Sequence, residues 1–190
     1  MREFRLYGRH SRNPEDNRVY LRQAKMSDIM DTDLMTPLVE LFSDEATAES
    51  LGSYTRTAEH HVDWFVNGIH WDEWYCWYIM YEGIVVGWIV LRDIDYDAGW
   101  LTIAICPDAR GRGFAEDALN QYLDKCFTEL GIRKVLLSVY SFNTGAIRLY
   151  ERVGFRKEAV VTEFVEWHGK LYDRVTYSMN KEEYNALRNP

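Results

Sequence analysis

The chain has 190 residues, 47% hydrophobic and 27% charged, which is enough apolar material for the core of one ordinary globular domain. Its net charge of −8 is uneven: residues 1–25 hold seven Arg and Lys against three acids, so the rest is more acidic still, which argues against a nucleic-acid backbone as the main ligand. Three widely spaced cysteines, Cys76, Cys106 and Cys126, offer no CxxC or Cys/His spacing, so neither a disulfide framework nor a structural zinc is expected.

Residues 1–18 read as a polar, Arg-rich extension without the apolar stretch of a secretory signal. Val19–Arg22 is a short strand. Met26 to Leu41 carries apolar residues at helical spacing, interrupted by Pro37. Residues 26–65 contain nine acids and one base, Arg56, a balance that tilts toward cationic partners. Thr57–Gly68 is expected as a second helix, with Thr57 as its cap. Trp74–Tyr81 and Ile84–Leu91 form a hairpin at Glu82-Gly83, and Gly99–Ile105 follows the acidic turn at Asp93, Asp95 and Asp97. Ala115 to Leu130 is a strongly amphipathic helix stopped by Gly131. Val135–Tyr140 is a strand, Thr144–Val153 a helix ending at Gly154, and Ala159–Trp167 with Tyr172–Met179 a last hairpin. Residues 181–190 read as a short tail. No uncharged apolar run is long enough to span a bilayer, so no membrane segment is expected.

This order predicts an α/β (α+β) fold: a mixed, mostly antiparallel central sheet of about six to seven strands flanked by helices. The segment with the most chemical content is Ile105-Cys-Pro-Asp-Ala-Arg110-Gly111-Arg112-Gly113-Phe114-Ala115, between a strand and a strong helix. The first N–H groups of a helix have no partners within it, and the helix dipole favours anions there. Gly111 and Gly113 let a bulky anion approach the backbone, and Arg110 and Arg112 can add charge-assisted bonds. A solvated turn is the bland alternative. The spacing is neither a Walker loop nor a GxGxxG fingerprint.

Downstream lies Asn143-Thr-Gly-Ala146-Ile-Arg-Leu149-Tyr150-Glu-Arg-Val-Gly154-Phe155. Together the two stretches resemble the GNAT superfamily of acyl-CoA-dependent N-acyltransferases, whose pyrophosphate loop reads Arg/Gln-x-x-Gly-x-Gly/Ala. The ending, His168-Gly169-Lys-Leu-Tyr-Asp173, is similar to the branch with the ribosomal-protein-alanine and spermidine acetyltransferases. The resemblance spans residues 19–180, one acetyltransferase domain. It implies the acyl-CoA N-acyltransferase fold and acetyl transfer from acetyl-CoA to a primary amine in a ternary complex. Ile105 would pair with the pantetheine, and Arg110, Gly111, Arg112, Gly113, Phe114 and Ala115 would hold the pyrophosphate. Asn143, with Ala146 beside it, would meet the pantetheine arm, and Tyr150 would give a proton to the leaving thiolate. Asn143 is also a good helix cap, and Tyr150 a possible core aromatic.

One departure stands out. Family members often supply a Glu from the strand before the loop, but Gly99–Ile105 has no carboxylate. The base is therefore open among Asp93, Asp95, Asp97, Glu82 and a water relay. An amine resembling lysine is neutral in only roughly one molecule in a few thousand at pH 7, so some group must take its proton. His60 and His61 lack a third partner, so no metal is expected. Cys106 reads as a packed thiol rather than an acyl carrier. The expected partners are acetyl-CoA and an amine-bearing small molecule or protein N-terminus, in a cytoplasmic protein; a homodimer is one assembly left open. The alternative is a catalytically weak relative that binds acyl-CoA or polyamine as a sensor or interaction module.

Overall fold

The structure is a computed structural model that describes residues 18–52, 63, 67, 69 and 73–188. The helix expected over Thr57–Gly68 falls almost wholly outside these residues, as do His60, His61 and residues 1–17 of the expected extension.

The periodic stretch from Met26 to Leu41 is two elements rather than one. A 3₁₀ turn, Met26–Met30, stops at Asp31. The Asp31 carboxylate accepts the N–H groups of Asp33 and Leu34 and starts α1, Thr32–Ser43. Pro37 lies inside α1 without ending it. An interior proline costs about 3 kcal/mol, but burying a leucine returns about 1.5–3 kcal/mol, and Leu34, Leu38 and Leu41 are all buried. Asp44 then caps α2, Glu45–Leu51, by accepting the Thr47 N–H at 2.9 Å. This seven-residue helix is too short to announce itself by periodicity. It ends at Gly52, whose φ of 66° is left-handed.

Seven strands form one sheet: β1 Tyr20–Gln23, β2 Tyr75–Tyr81, β3 Ile84–Asp95, β4 Ala98–Ile105, β5 Lys134–Tyr140, β6 Arg156–Trp167 and β7 Lys170–Asn180. Their spatial order is β1-β2-β3-β4-β5-β7-β6, and every neighbouring pair is antiparallel except β4 with β5. That is the mixed, mostly antiparallel sheet the element order predicts.

Strand alternation gives each face its own core. On one face Tyr78, Trp88 and Val90 pack with Leu34, Leu38 and Leu41 of α1. On the other, Ile89, Leu91, Leu137, Val139, Val175 and Tyr177 pack under α3, Phe114–Asp124, and α4, Thr144–Val153. The stretch expected as a tail is instead helical: α5, Lys181–Arg188, buries Tyr184 in this second core. Its signal was weak because eight residues offer only one inward aromatic. Among the described residues, no helix is long and apolar enough to cross a membrane.

Candidate active site

The sheet opens where its one parallel pair sits. β4 and β5 pair only at Ala98↔Lys134, Gly99↔Val135 and Trp100↔Leu136, yet β4 continues to Ile105 and β5 to Tyr140. Beyond Trp100 the two strands part. On its other side β4 stays bound to β3, and Cys106 N–H donates to Val86 C=O at 2.9 Å. Alternation then turns the N–H and C=O groups of Leu101, Ile103 and Ile105 away from β3, toward the gap. Among the described residues the result is a strand edge inside the molecule that is free apart from the Ile105 C=O, which accepts from Arg110 Nε.

A cavity of about 850 Å³ occupies this gap. From β4 it is lined by Trp100 to Ile105, from β5 by Ser138, Val139 and Tyr140, and from α4 and its cap by Asn143, Ala146 and Tyr150. It passes through the sheet, because Val139 and Tyr150 belong to the α3/α4 face whereas Trp88 and Val90, also in its lining, belong to the α1 face.

At the far end of β4 lies the glycine loop. Gly111 and Gly113 have φ of 73° and 84°, conformations that L side chains avoid, and a Cβ at either would meet nothing within 4 Å. Gly113 is the cap of α3, and its C=O accepts from Glu116 and Asp117. Among the described residues, no hydrogen bond takes up the N–H groups of Gly111, Arg112, Gly113, Phe114 or Ala115. Five successive unspent donors at a helix N-terminus make a cradle for anionic oxygens.

The two loop arginines are not alike. Arg110 points back into the fold: its Nη2 donates to Asp44 Oδ2 at 2.8 Å and Thr47 Oγ1 at 2.6 Å, and its Nε donates to Ile105 C=O at 3.1 Å. Burial works to raise the Asp44 pKa, but the bonds from Arg110 and Thr47 outweigh it and hold it below 3.8. Arg112 lies over the rings of Tyr81 and Phe114, 5.0 and 4.6 Å from their centroids.

On α4, Asn143 is the cap: its Oδ1 accepts the Ala146 N–H at 3.2 Å. Its amide nitrogen is left for the cavity it lines. Tyr150 is 8% exposed, edge-on to Phe155, and burial pushes its pKa up to about 12. No hydrogen bond engages its hydroxyl among the described residues. Tyr150 is thus a buried, protonated phenol in the cavity lining.

Of the open candidates for a base, Asp93 alone reaches the cavity. It occupies the irregular step between Arg92 and Asp95 in the β3–β4 ladder, at φ 52°, and pairs with Arg92. A bulge of this kind re-aims a side chain. Asp95 pairs with Ala98 in the hairpin, and Asp97 C=O accepts the Arg133 and Lys134 N–H groups. Cys106 is a packed thiol: burial pushes its pKa up to about 12, and its Sγ faces the Pro37 carbonyl at 3.7 Å.

The acidic segment lines the cavity through Phe42, Ala46, Thr47, Ser50 and Leu51, but not through its carboxylates. None of its described acids is among the lining residues. Asp28 pairs with Arg22, Asp31 and Asp44 cap helices, and Asp44 also holds Arg110. The composition of residues 26–65 suggests a cation-attracting wall, but Asp28, Asp31 and Asp44 are engaged in local caps, and the other described acids lie outside the lining. Conversely, Ser138 and Arg174 line the cavity without having been singled out in the sequence. Arg174 carried a faint signal, as a charge interleaved with the inward residues Val175 and Tyr177 of a strand.

A parallel strand pair that splays beside an anion-cradling helix start defines an acyl-CoA N-acyltransferase fold. Residues 36–155 match the Acetyltransferase (GNAT) family, and the chain belongs to it. It is 32% identical over 133 residues to an uncharacterized SPbeta prophage-derived N-acetyltransferase of Bacillus subtilis strain 168, covering 69% of this chain and 75% of that protein. It is 34% identical over 91 residues to the spermidine N(1)-acetyltransferase of Vibrio cholerae, covering 47% of this chain and 53% of that protein. Its fold is similar to a crystal structure of spermidine N-acetyltransferase from Vibrio cholerae in complex with CoA and spermine: TM-score 0.77, 22% identity, 88% of this chain and 98% of that one.

Proposed function

We propose that this chain transfers the acetyl group of acetyl-CoA directly to a primary amine, on a small molecule or a protein N-terminus, within a ternary complex. The observation that carries this reading is one continuous cavity, joining the free β4 edge to the Tyr150 hydroxyl, with five unspent N–H donors just beyond the end of β4. The residues present fit the donor: open space over Gly111 and Gly113 suits a pyrophosphate, and a free strand edge suits an amide-bearing arm.

In this reading the N–H groups of Gly111 to Ala115 bind the pyrophosphate, with Phe114 anchoring the helix start in the core and Arg112 offering its charge at the loop. Arg110 acts by fastening the loop to α2. Ile103 and Ile105 extend a strand-like pairing to the pantetheine. Asn143 bonds that arm through its amide nitrogen, and Ala146 keeps the first turn of α4 narrow enough for it to pass.

Acetyl-CoA supplies the thioester. The amine loses a proton to water, with Asp93 as the carboxylate available to relay it. The nitrogen lone pair forms the C–N bond, the C–S bond breaks, and Tyr150 gives its proton to the departing sulfur; the nitrogen's second proton then leaves through water and restores the phenol. The phenol is in its protonated form at neutral pH, and the departing thiolate is the base that draws its proton.

We read residues 19–180 as a single acetyltransferase domain behind an extension, 1–18, and α5 as part of its core. Three free cysteines, each with a pKa pushed up to about 12 by burial, support a reducing compartment such as the cytoplasm. A homodimer is supported by β6, a twelve-residue edge strand exposing Val160, Val161 and Phe164. Thiol release from acetyl-CoA over a panel of amines, with mass spectrometry of the products, tests the function. Absence of release and of any acetylated amine overturns it.

A further inference from the structure

Among the described residues, the cavity lining holds three arginines and one aspartate. Two of the arginines are neutralised: Arg92 by Asp93, and Arg110 by Asp44. The third, Arg174 on β7, makes no hydrogen bond or ion pair among the described residues. Its Nε is buried without a partner, and its guanidinium carbon lies over Phe164, 3.9 Å from the ring centroid. A buried N–H of a charged group left unpaired is costly, and native folds keep such groups chiefly where a ligand completes them.

The side of the sheet on which Arg174 sits identifies that ligand. Val175 and Tyr177 point into the α3/α4 core beside Tyr150, so Arg174 points to the opposite face. Its cross-strand neighbour is Tyr140, and the Tyr140 hydroxyl packs against Gly52 at the end of α2. Arg174 is thus across the sheet from the N–H cradle at Gly111–Ala115 and from Asn143, on the side open to the second substrate. Aromatic and guanidinium surface together fit a planar anionic group, which an arginine fork binds in bidentate fashion.

We infer that the acceptor is an amine that also carries an anionic oxo group, a carboxylate or phosphate, and that Arg174 docks this group while the amine enters the gap between β4 and β5. This rests on the acetyltransferase reading above and narrows it away from polycationic acceptors, to which the described lining offers one carboxylate, Asp93, already paired to Arg92.

The test uses the full chain with acetyl-CoA and three matched series of varied length: ω-aminocarboxylates, ω-aminoalkyl phosphates and diamines. Wild type should show a higher kcat/KM for one anionic series than for diamines. Arg174→Gln should lower that value about 10- to 100-fold, as expected for lost bonds to a charged group, mainly through KM. Arg174→Lys should recover part of it. Turnover of a neutral monoamine and the thermal shift with acetyl-CoA should not move, which also reports that the variants fold. Preference for diamines, or an equal fall for all amines in Arg174→Gln, overturns the inference and leaves the acetyltransferase reading standing. Absence of thiol release with every series overturns both.

Discussion

The Arg110 guanidinium donates to the Asp44 carboxylate at 2.8 Å, joining residues 66 apart in the chain. One end of this contact is the start of the glycine loop and the other is the cap of α2. The same Asp44 oxygen also accepts the Thr47 N–H and hydroxyl. A loop rich in glycine pays heavily in entropy to hold one shape, so an anchor at its first residue lowers the cost of presenting its N–H groups.

Asp44→Asn keeps an acceptor for Thr47 but removes the charge facing Arg110. Because Arg110 is 42% exposed, the loss should be only about 0.5–1 kcal/mol. Asp44→Ala also removes the cap and should cost about 1 kcal/mol more. The Asp44 pKa is depressed, so its ionic contribution is present above the ordinary 3.8 and disappears as pH falls through the lower folded value. Thermal melts should therefore show a constant gap between wild type and Asp44→Asn from neutral pH down to the carboxylate range. Below 3.8 the gap should close; a gap that persists in acid would mean the contact is not ionic.

Gly113→Val meets no neighbour, so its effect on the free protein should be the left-handed strain alone, about 1–2 kcal/mol. It should nevertheless cover the N–H cradle. Wild type at about 100 times Kd of acetyl-CoA should gain about 2.7 kcal/mol of stability, read as a rise in Tm. The variant should show little of that rise, and an unchanged rise would move the pyrophosphate elsewhere.

Tyr150→Phe keeps the ring packed on Phe155 and removes only the hydroxyl. With chemistry rate-limiting, kcat should fall by about 10²–10⁴, with the acetyl-CoA Kd nearly unchanged. The folded pKa of about 12 also makes a prediction about alkaline pH. A phenol with that pKa keeps its proton through the usual assay range, so wild-type kcat should not decline below it on account of Tyr150. An unchanged kcat in the phenylalanine variant would leave Tyr150 a packing residue.

Glu45→Gln and Glu49→Gln should leave kcat/KM within about twofold, because neither carboxylate lines the cavity and charges near the surface are strongly screened. The acceptor KM should be insensitive to these two substitutions at low and high salt alike. A KM that rises with either variant would restore the acidic segment as a steering surface.

Local rules read most of the elements directly from the chain. Apolar runs and the turn residues between them place all seven strands, and Asn143 and Gly154 bracket a helix at its observed limits, because caps act over three or four residues. The loop from Arg110 to Ala115 was equally plain, since only glycine takes φ of 73° and 84° cheaply. What the sequence could not contain was relative position. That β4 and β5 part after Trp100, that Arg110 turns inward to Asp44, that the described acids of residues 26–65 stay out of the cavity lining and that Arg174 lines the gap all depend on contacts between distant segments. Such contacts are set by how two apolar cores close on opposite faces of a twisted sheet, and no window of neighbouring residues encodes that closure.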